Sequence, residues 1–274
     1  MLSVNTNVGA MVALQYLNKT NTDLQATQAA INSGLKVASP KDNGAVYAIA
    51  QNMRGNVAGY QAVSDSLNRG VSSIDVALAA GQSISDLLTE LKGKALAAAD
   101  SSLDTASRNA LNADFTALRD QITNVVQNAS FNGTNLVDGS VANIQALAST
   151  DGTKRITVSG QTLSLSGVIV TLASTGTIST LSKASSMITT INTSIANVNA
   201  SLATMASGSK KFSIQNDFVS KLVDALNAGI GNLVDADMAK ESAQFQALQV
   251  KQQLGVQALS IANSAPSIAL SLFR

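Results

Sequence analysis

LSKASSMITTINTSIANVNASLATM, residues 181–205, decides the fold. Its apolar positions Leu181, Ala184, Ile188, Ile191, Ile195, Val198, Leu202 and Met205 alternate steps of three and four. That is the spacing of a heptad seam, in which one helix packs lengthwise on another. The seam resumes beyond a polar insert, SGSKK at 207–211, with Phe212, Val219, Val223, Leu226, Ile230 and Leu233.

A partner lies upstream. Met53, Val57, Tyr60, Val63, Leu67, Val71, Ile74 and Leu78 form one stripe, continued by Ile84, Leu88 and Leu91. A helix from about Ala45 to about Ala99 would be roughly 80 Å long. The seam of this rod is assigned to Val57, Leu67, Ile74, Ile188, Ile191, Ile195, Val198 and Leu202. Gly55, Gly59, Gly70, Gly81 and Gly93 interrupt the first helix, either as kinks or as sites of close backbone approach. Asp104 reads as the N-cap of another helix through Leu111, Phe115, Leu118, Ile122 and Val125, which ends near SFNGTNLVDG.

From Val141 the period changes to two: Ile144, Ala146 and Ala148, an Asp151-Gly152 turn, Ile156 and Val158, then Leu163 and Leu165. This predicts a small central β-hairpin element at about 141–172. The fold class is mainly α, a long antiparallel helical rod like a coiled-coil bundle, with that β element at its far end.

The composition agrees. Hydrophobic residues make up 45% of 274 residues but aromatics only 3%, which suits helices packed along their length rather than a thick core. The two prolines, Pro40 and Pro266, leave the interior free of helix breakers. With no Cys and no His, disulfides, the common zinc sites, thiol nucleophiles and histidine acid–base catalysis are excluded, and neither metal nor cofactor is expected. A net charge of +1 with scattered Lys and Arg offers no basic stripe for nucleic acid. The N-terminal stretch lacks the positive region of a secretory signal, and Gln257, Asn263 and Pro266 break the C-terminal apolar run short of a membrane span.

The ends resemble each other. From Met1 to Leu35 the charges are Lys19 and Asp23, and from Ala243 to Phe273 only Lys251. Residues 1–40 and 236–274 are therefore expected to pair as an inner layer, separate from the rod at 41–235. Boundaries fall near SPKDNG (39–44) and DADMAKES (235–242). Val250, Leu254, Leu259, Ile261 and Ile268 project in several directions, so a two-helix hairpin would leave apolar surface wet. Leu248, Leu254, Leu259, Ile261, Ile268, Leu270, Leu272 and Phe273 are assigned to self-association.

The same boundaries carry a family resemblance. NTNVGAMVALQYLNKTNTDLQATQAAINSGLKVASPKDNGAVYAIAQNMRG, from Asn5, resembles the N-terminal signature of bacterial flagellin. DADMAKES and the run from Ala258 to Arg274 are similar to the flagellin C-terminus, and ASFNGTNL (129–136) to the turn after the family's second outer helix. Ordered motifs over roughly the first 140 and last 100 residues make the likeness specific. Lys36, Lys251 and Leu254 depart from the usual pattern, and KDNG replaces an acidic pair.

The resemblance implies a homopolymeric subunit of the motility filament, a short form without large outer domains. It implies export without a cleaved signal through the flagellar type III apparatus, growth at the distal tip and an extracellular location. Other flagellins, hook-associated and cap proteins and an export chaperone are the implied partners, with O-glycans on middle-region Ser and Thr and no nucleic-acid or membrane partner. A hook–filament junction protein is the nearest alternative, disfavoured by SGLKVASPKDNGAVYAIA. A secreted membrane-active translocator would want one long unbroken hydrophobic hairpin. An enzyme, including a flagellin with a protease insert, would need a histidine pair. Asp235, Asp237, Lys240 and Glu241 read as a solvated or salt-bridged hinge rather than a catalytic carboxylate pair, and Gly208-Ser209-Lys210 lacks the upstream glycine of a phosphate loop.

Overall fold

The computed structural model describes residues 6–271, with side chains through residue 264. The chain runs α1 (Val8–Ser33), α2 (Gly44–Ala98), α3 (Thr105–Asn128), β1 (Ser130–Phe131), β2 (Thr134–Asn135), β3 (Asn143–Leu147), β4 (Arg155–Ser159), α4 (Leu181–Val234) and α5 (Met238–Ser271). Short polar side chains start the helices. Asn7 Oδ1 accepts from Ala10 N at 3.0 Å, Asn43 Oδ1 from Val46 N at 3.1 Å, Asp104 Oδ1 from Ser107 N at 2.9 Å and Asp237 Oδ1 from Ala239 N at 3.0 Å. α1 stops at Gly34, whose φ of 72° ends the helical path.

The chain divides into two compact units, one formed by Met1–Gly55 with Ala225–Arg274 and the other by Asn56–Asp224. The second unit contains the rod. On its part of α2, Leu67, Ile74, Gly81, Leu88 and Ala95 recur every seventh residue, as do Val63, Gly70, Ala77, Ile84, Leu91 and Ala98, and all are buried. On α4 the buried sevenfold row is Ala184, Ile191, Val198, Met205, Phe212 and Val219. The helices are antiparallel: Ser64 Oγ donates to Asn216 Oδ1 at 2.6 Å, and Ser85 Oγ to Asn199 Oδ1 at 3.4 Å, further along α2 and earlier on α4.

The glycines divide by role. A Cβ on Gly70 would stand 2.6 Å from Phe212 Cε2, and one on Gly81 the same distance from Leu202 Cδ2, so these two mark close approach of α2 to α4. Gly55 and Gly93 have nothing within 4 Å of such a Cβ. α4 also corrects the expected interruption at SGSKK. Met205 and Phe212 are one heptad apart, and Gly208 between them is a buried position against Val158, so α4 runs through unbroken.

α3 folds back along α2. The turn between them is built by Arg108, which donates to the carbonyls of Ala98 (2.9 Å), Asp100 (2.9 Å) and Leu103 (3.1 Å), partnering groups that the end of α2 leaves free. Lys94 and Asp114 pair one turn further on at 2.6 Å.

β3 and β4 form the expected hairpin, with Asn143 opposite Ser159 and Leu147 opposite Arg155. Val158 and Ala146 face inward, and Leu147 N donates to Ser66 Oγ of α2 at 3.1 Å. The third alternating run is not a strand. Gln161 N and Leu163 N donate to the carbonyls of Leu136 and Val137, outside the hairpin, so Leu163 is buried without extending the sheet. SFNGTN, read as a plain turn, closes as the two-residue ladder β1–β2 across Asn132 and Gly133, both at positive φ. Buried Asn135 ties it down, donating to Val126 O at 2.7 Å and accepting from Val137 N at 2.9 Å.

Candidate self-association surface

The first unit is a different construction. Leu35 and Asp235 form an antiparallel bridge. Lys36 N donates to Val234 O at 2.8 Å, Ala236 N to Gly34 O at 2.9 Å, and Lys36 Nζ to Asn232 O at 2.8 Å. This brings the end of α1 beside the start of α5, and the helices continue antiparallel. Gln252 Nε2 donates to Asn21 Oδ1 at 2.7 Å, Leu17 packs on Gly255, and Asn7 Nδ2 donates to Ala262 O at 2.6 Å.

SPKDNG is an ordered turn. Asp42 Oδ2 accepts from Ser39 N at 2.8 Å, Ala38 N at 3.0 Å and Ser39 Oγ at 3.1 Å. These bonds, led by that from the Ser39 backbone, hold the Asp42 carboxyl below its ordinary pKa. At the other boundary Asp237 caps α5. Among the described residues the ion pairs are Lys94–Asp114 and Arg119–Asp120, so exposed Asp235 and Lys240 and half-buried Glu241 form a junction without a salt bridge. No group of three metal-ligating side chains occurs among the described residues, and no described helix is long and apolar enough to cross a membrane.

α1 spans 26 residues and buries only Thr27. Val8, Met11, Val12, Leu14 and Tyr16 lie open on it, and Val250, Leu254, Val256 and Ile261 lie open on α5. Leu254 and Ile261 are 60% and 71% exposed, and Leu259 is half-buried. Leu248 is a correction: it is buried within the subunit, in the α1–α5 contact beside Tyr16 and Leu17, and reaches the surface only as a sliver of the groove those residues line. The side chains of Ile268 and Leu270, and Leu272 and Phe273 altogether, lie outside the described residues.

The rod-seam residues lie in the other unit. There Leu67, Ile74, Ile191 and Val198 are fully buried, whereas Val57, Ile188, Ile195 and Leu202 are half-buried along the flank of the seam. Sequence reasoning missed Phe212 as the ring seated on Gly70, because nothing local pairs residues so far apart. It also missed the groove into which Lys19, Asp23 and Lys251 converge, although their rarity in the terminal segments was a usable signal.

Comparison with known proteins bears on this surface. The bacterial flagellin N-terminal helical region matches residues 4–142, and the bacterial flagellin C-terminal helical region matches residues 188–273. Flagellin FljK of Caulobacter vibrioides is 54% identical over 272 residues, covering 99% of this chain and 98% of the relative. A flagellin of Brucella melitensis is 33% identical over 283 residues, covering all of both chains. A crystal structure of Bacillus cereus flagellin shares the fold at a TM-score of 0.50 and 19% identity, over 56% of this chain and 88% of that one. The chain belongs to the bacterial flagellin family.

Proposed function

We propose that this chain is a structural subunit that assembles with copies of itself into the helical flagellar filament used for motility. The observation that carries this reading is the open apolar surface of α1 and α5. A helix pair that leaves Val8, Met11, Tyr16, Leu254 and Ile261 in water has more apolar surface than its own partner helix can cover. In this reading residues 1–40 and 236–274 form the inner layer and residues 41–235 the rod. Self-association runs through Leu254, Leu259, Ile261, Ile268, Leu270, Leu272 and Phe273. Family membership supports an extracellular, non-enzymatic role. Export through the flagellar type III apparatus, contacts with other flagellins, hook-associated and cap proteins and an export chaperone, and O-glycans on middle-region Ser and Thr belong to the same proposal.

The test is polymerisation onto seeds of wild-type protein, read beside the thermal transition of the monomer. The variant Leu254→Asp/Ile261→Asp forfeits the burial of two large side chains, about 3–6 kcal/mol at ~1.5–3 each, and adds two charges to the interface. Subunit affinity should fall by two to four orders of magnitude on burial alone, at ~1.4 kcal/mol per tenfold. Deleting Ser267–Arg274 should likewise stop growth while sparing the monomer transition. Normal filaments from either variant would refute the assembly role of these residues.

A further inference from the structure

The charges of the terminal segments converge. Lys19 and Asp23 are the charges between Met1 and Leu35, and Lys251 the one between Ala243 and Phe273, yet all three line a single groove between α1 and α5. The groove, about 440 Å³, is completed by Tyr16, Leu248 and Gly255. Its register is set next door by the 2.7 Å bond from Gln252 to Asn21 and by the packing of Leu17 on Gly255. Despite that fixed placement Asp23 pairs with neither lysine. All three side chains are exposed, and the ion pairs among the described residues lie elsewhere, at Lys94–Asp114 and Arg119–Asp120. Lys19 and Asp23 stand four apart on one helix, a spacing at which an intrahelical pair is within reach, and they do not form one.

We infer that Asp23 of one copy pairs with Lys251 of an adjacent copy, an ion pair set inside the apolar contact; this rests on the filament reading. Covering the open apolar side chains Tyr16, Val250 and Leu254 withdraws the groove beside them from water, and a carboxylate so withdrawn requires a cationic partner. Lys19 sits on the same helix as Asp23 and leaves it unpaired. Lys251 sits on the other helix, so a heterologous contact in which the α1 side of one copy meets the α5 side of the next uses each Asp23 and each Lys251 once and repeats without a mismatch. Lys19 keeps its ammonium in water at the end of its flexible stem. Such a pair fixes which offset between neighbouring helices is accepted, which an apolar contact alone specifies poorly.

The experiment measures the critical concentration for growth on wild-type seeds for Asp23→Lys, Lys251→Glu, the double variant, and a 1:1 mixture of the two single variants. Circular dichroism melting serves as the folding control. The expected result is a rise of about tenfold or more for each single variant, with near-wild-type values restored both in the double variant and in the mixture, where each Asp23→Lys copy can take a Lys251→Glu copy as its neighbour and so restore opposite charges across the contact. Rescue in the double variant but not in the mixture would place the pair within one copy and overturn the inference. Single variants that polymerise like wild type would show that the charges face water, with the same consequence. Failure of the wild-type chain itself to grow would instead remove the filament reading beneath it.

Discussion

The rod unit and the terminal-helix unit are built from the same apolar residue types, yet they end in opposite states. In the rod, Leu67, Ile74, Leu88, Ile191 and Val198 are fully buried, because each helix has a partner along its length and a further layer in α3, the hairpin or the irregular segment that contributes Leu163, Val170, Leu172 and Ile178. In the terminal unit α1 packs against α5, and among the described residues Met11, Tyr16, Leu254 and Ile261 remain open. Apolar content therefore does not determine burial; the number of surfaces facing a helix does. A two-helix layer with apolar residues on several faces is complete only when other chains supply the missing neighbours.

The largest effect that would break this comparison is an unpaired charge in the seam. Ile191→Asp places a carboxylate at a position with no solvent access, at a cost of several kcal/mol against a total stability of about 5–15 kcal/mol. The monomer should lose its cooperative thermal transition. Leu254→Asp, the same chemistry in the terminal unit, should leave that transition in place, because its side chain is already solvated. Equal melting curves for the two variants would mean that the units do not differ in the way their burial indicates.

Much of the rod was legible in the sequence because a heptad is a local pattern: residues three, four and seven apart specify the buried face without knowledge of the partner. The β3–β4 hairpin was legible for the same reason, from a period of two and an Asp-Gly turn. What failed required a distant partner. Leu163 and Leu165 alternate like a strand, but the carbonyls that meet Gln161 N and Leu163 N belong to Leu136 and Val137. SGSKK looks like an insert by composition, whereas Gly208 occupies a packed position against Val158. In the terminal unit, sequence places Leu248 and Leu254 on one apolar run. Only the register set by Asn21–Gln252 separates the inward residue from the outward one.

A smaller effect sharpens the account of the seam itself. Helix propensity favours alanine over glycine by roughly 1 kcal/mol at any interior helical position, so propensity alone predicts that Gly70→Ala and Gly93→Ala both stabilise. The surroundings differ. At Gly93 the added methyl meets nothing within 4 Å and the gain should appear, about 0.5–1 kcal/mol in denaturant unfolding. At Gly70 it would lie 2.6 Å from the Phe212 ring, which is fully buried and cannot swing away, so overpacking of about 1–3 kcal/mol should reverse the sign. Stabilisation by both substitutions would mean that α2 and α4 are not in the close contact described.

The smallest effect concerns acid, and it separates the turns from the seams. Asp151 is held at about 2, chiefly by the Ser149 hydroxyl and then by Thr153, whose amide and hydroxyl lie 3.1 and 2.9 Å from its oxygens. Asp100 and Asp104 are lowered by Ser102 and Ser107 in the same way, and Asp42 by Ser39 in the terminal unit. A carboxyl whose folded pKa is depressed contributes stability that is present above its ordinary value of 3.8 and is lost as pH falls through the folded value. The β3–β4 turn should therefore loosen as pH drops from near 4 to about 2. The heptad seams contain no titrating side chain among their buried positions and should be unmoved over that range. All four carboxylates stand in open solvent, so the expected response is local: lower amide protection factors at Thr153 and Lys154, measured against the intrinsic exchange rate at each pH, with little change in the global transition. Asp151→Asn should abolish the pH dependence of that protection while leaving the seams unchanged. A titration midpoint for Asp151 near 3.8 would show that the turn does not hold its carboxylate, and a coincident loss of seam protection would show that turn and rod open as one unit.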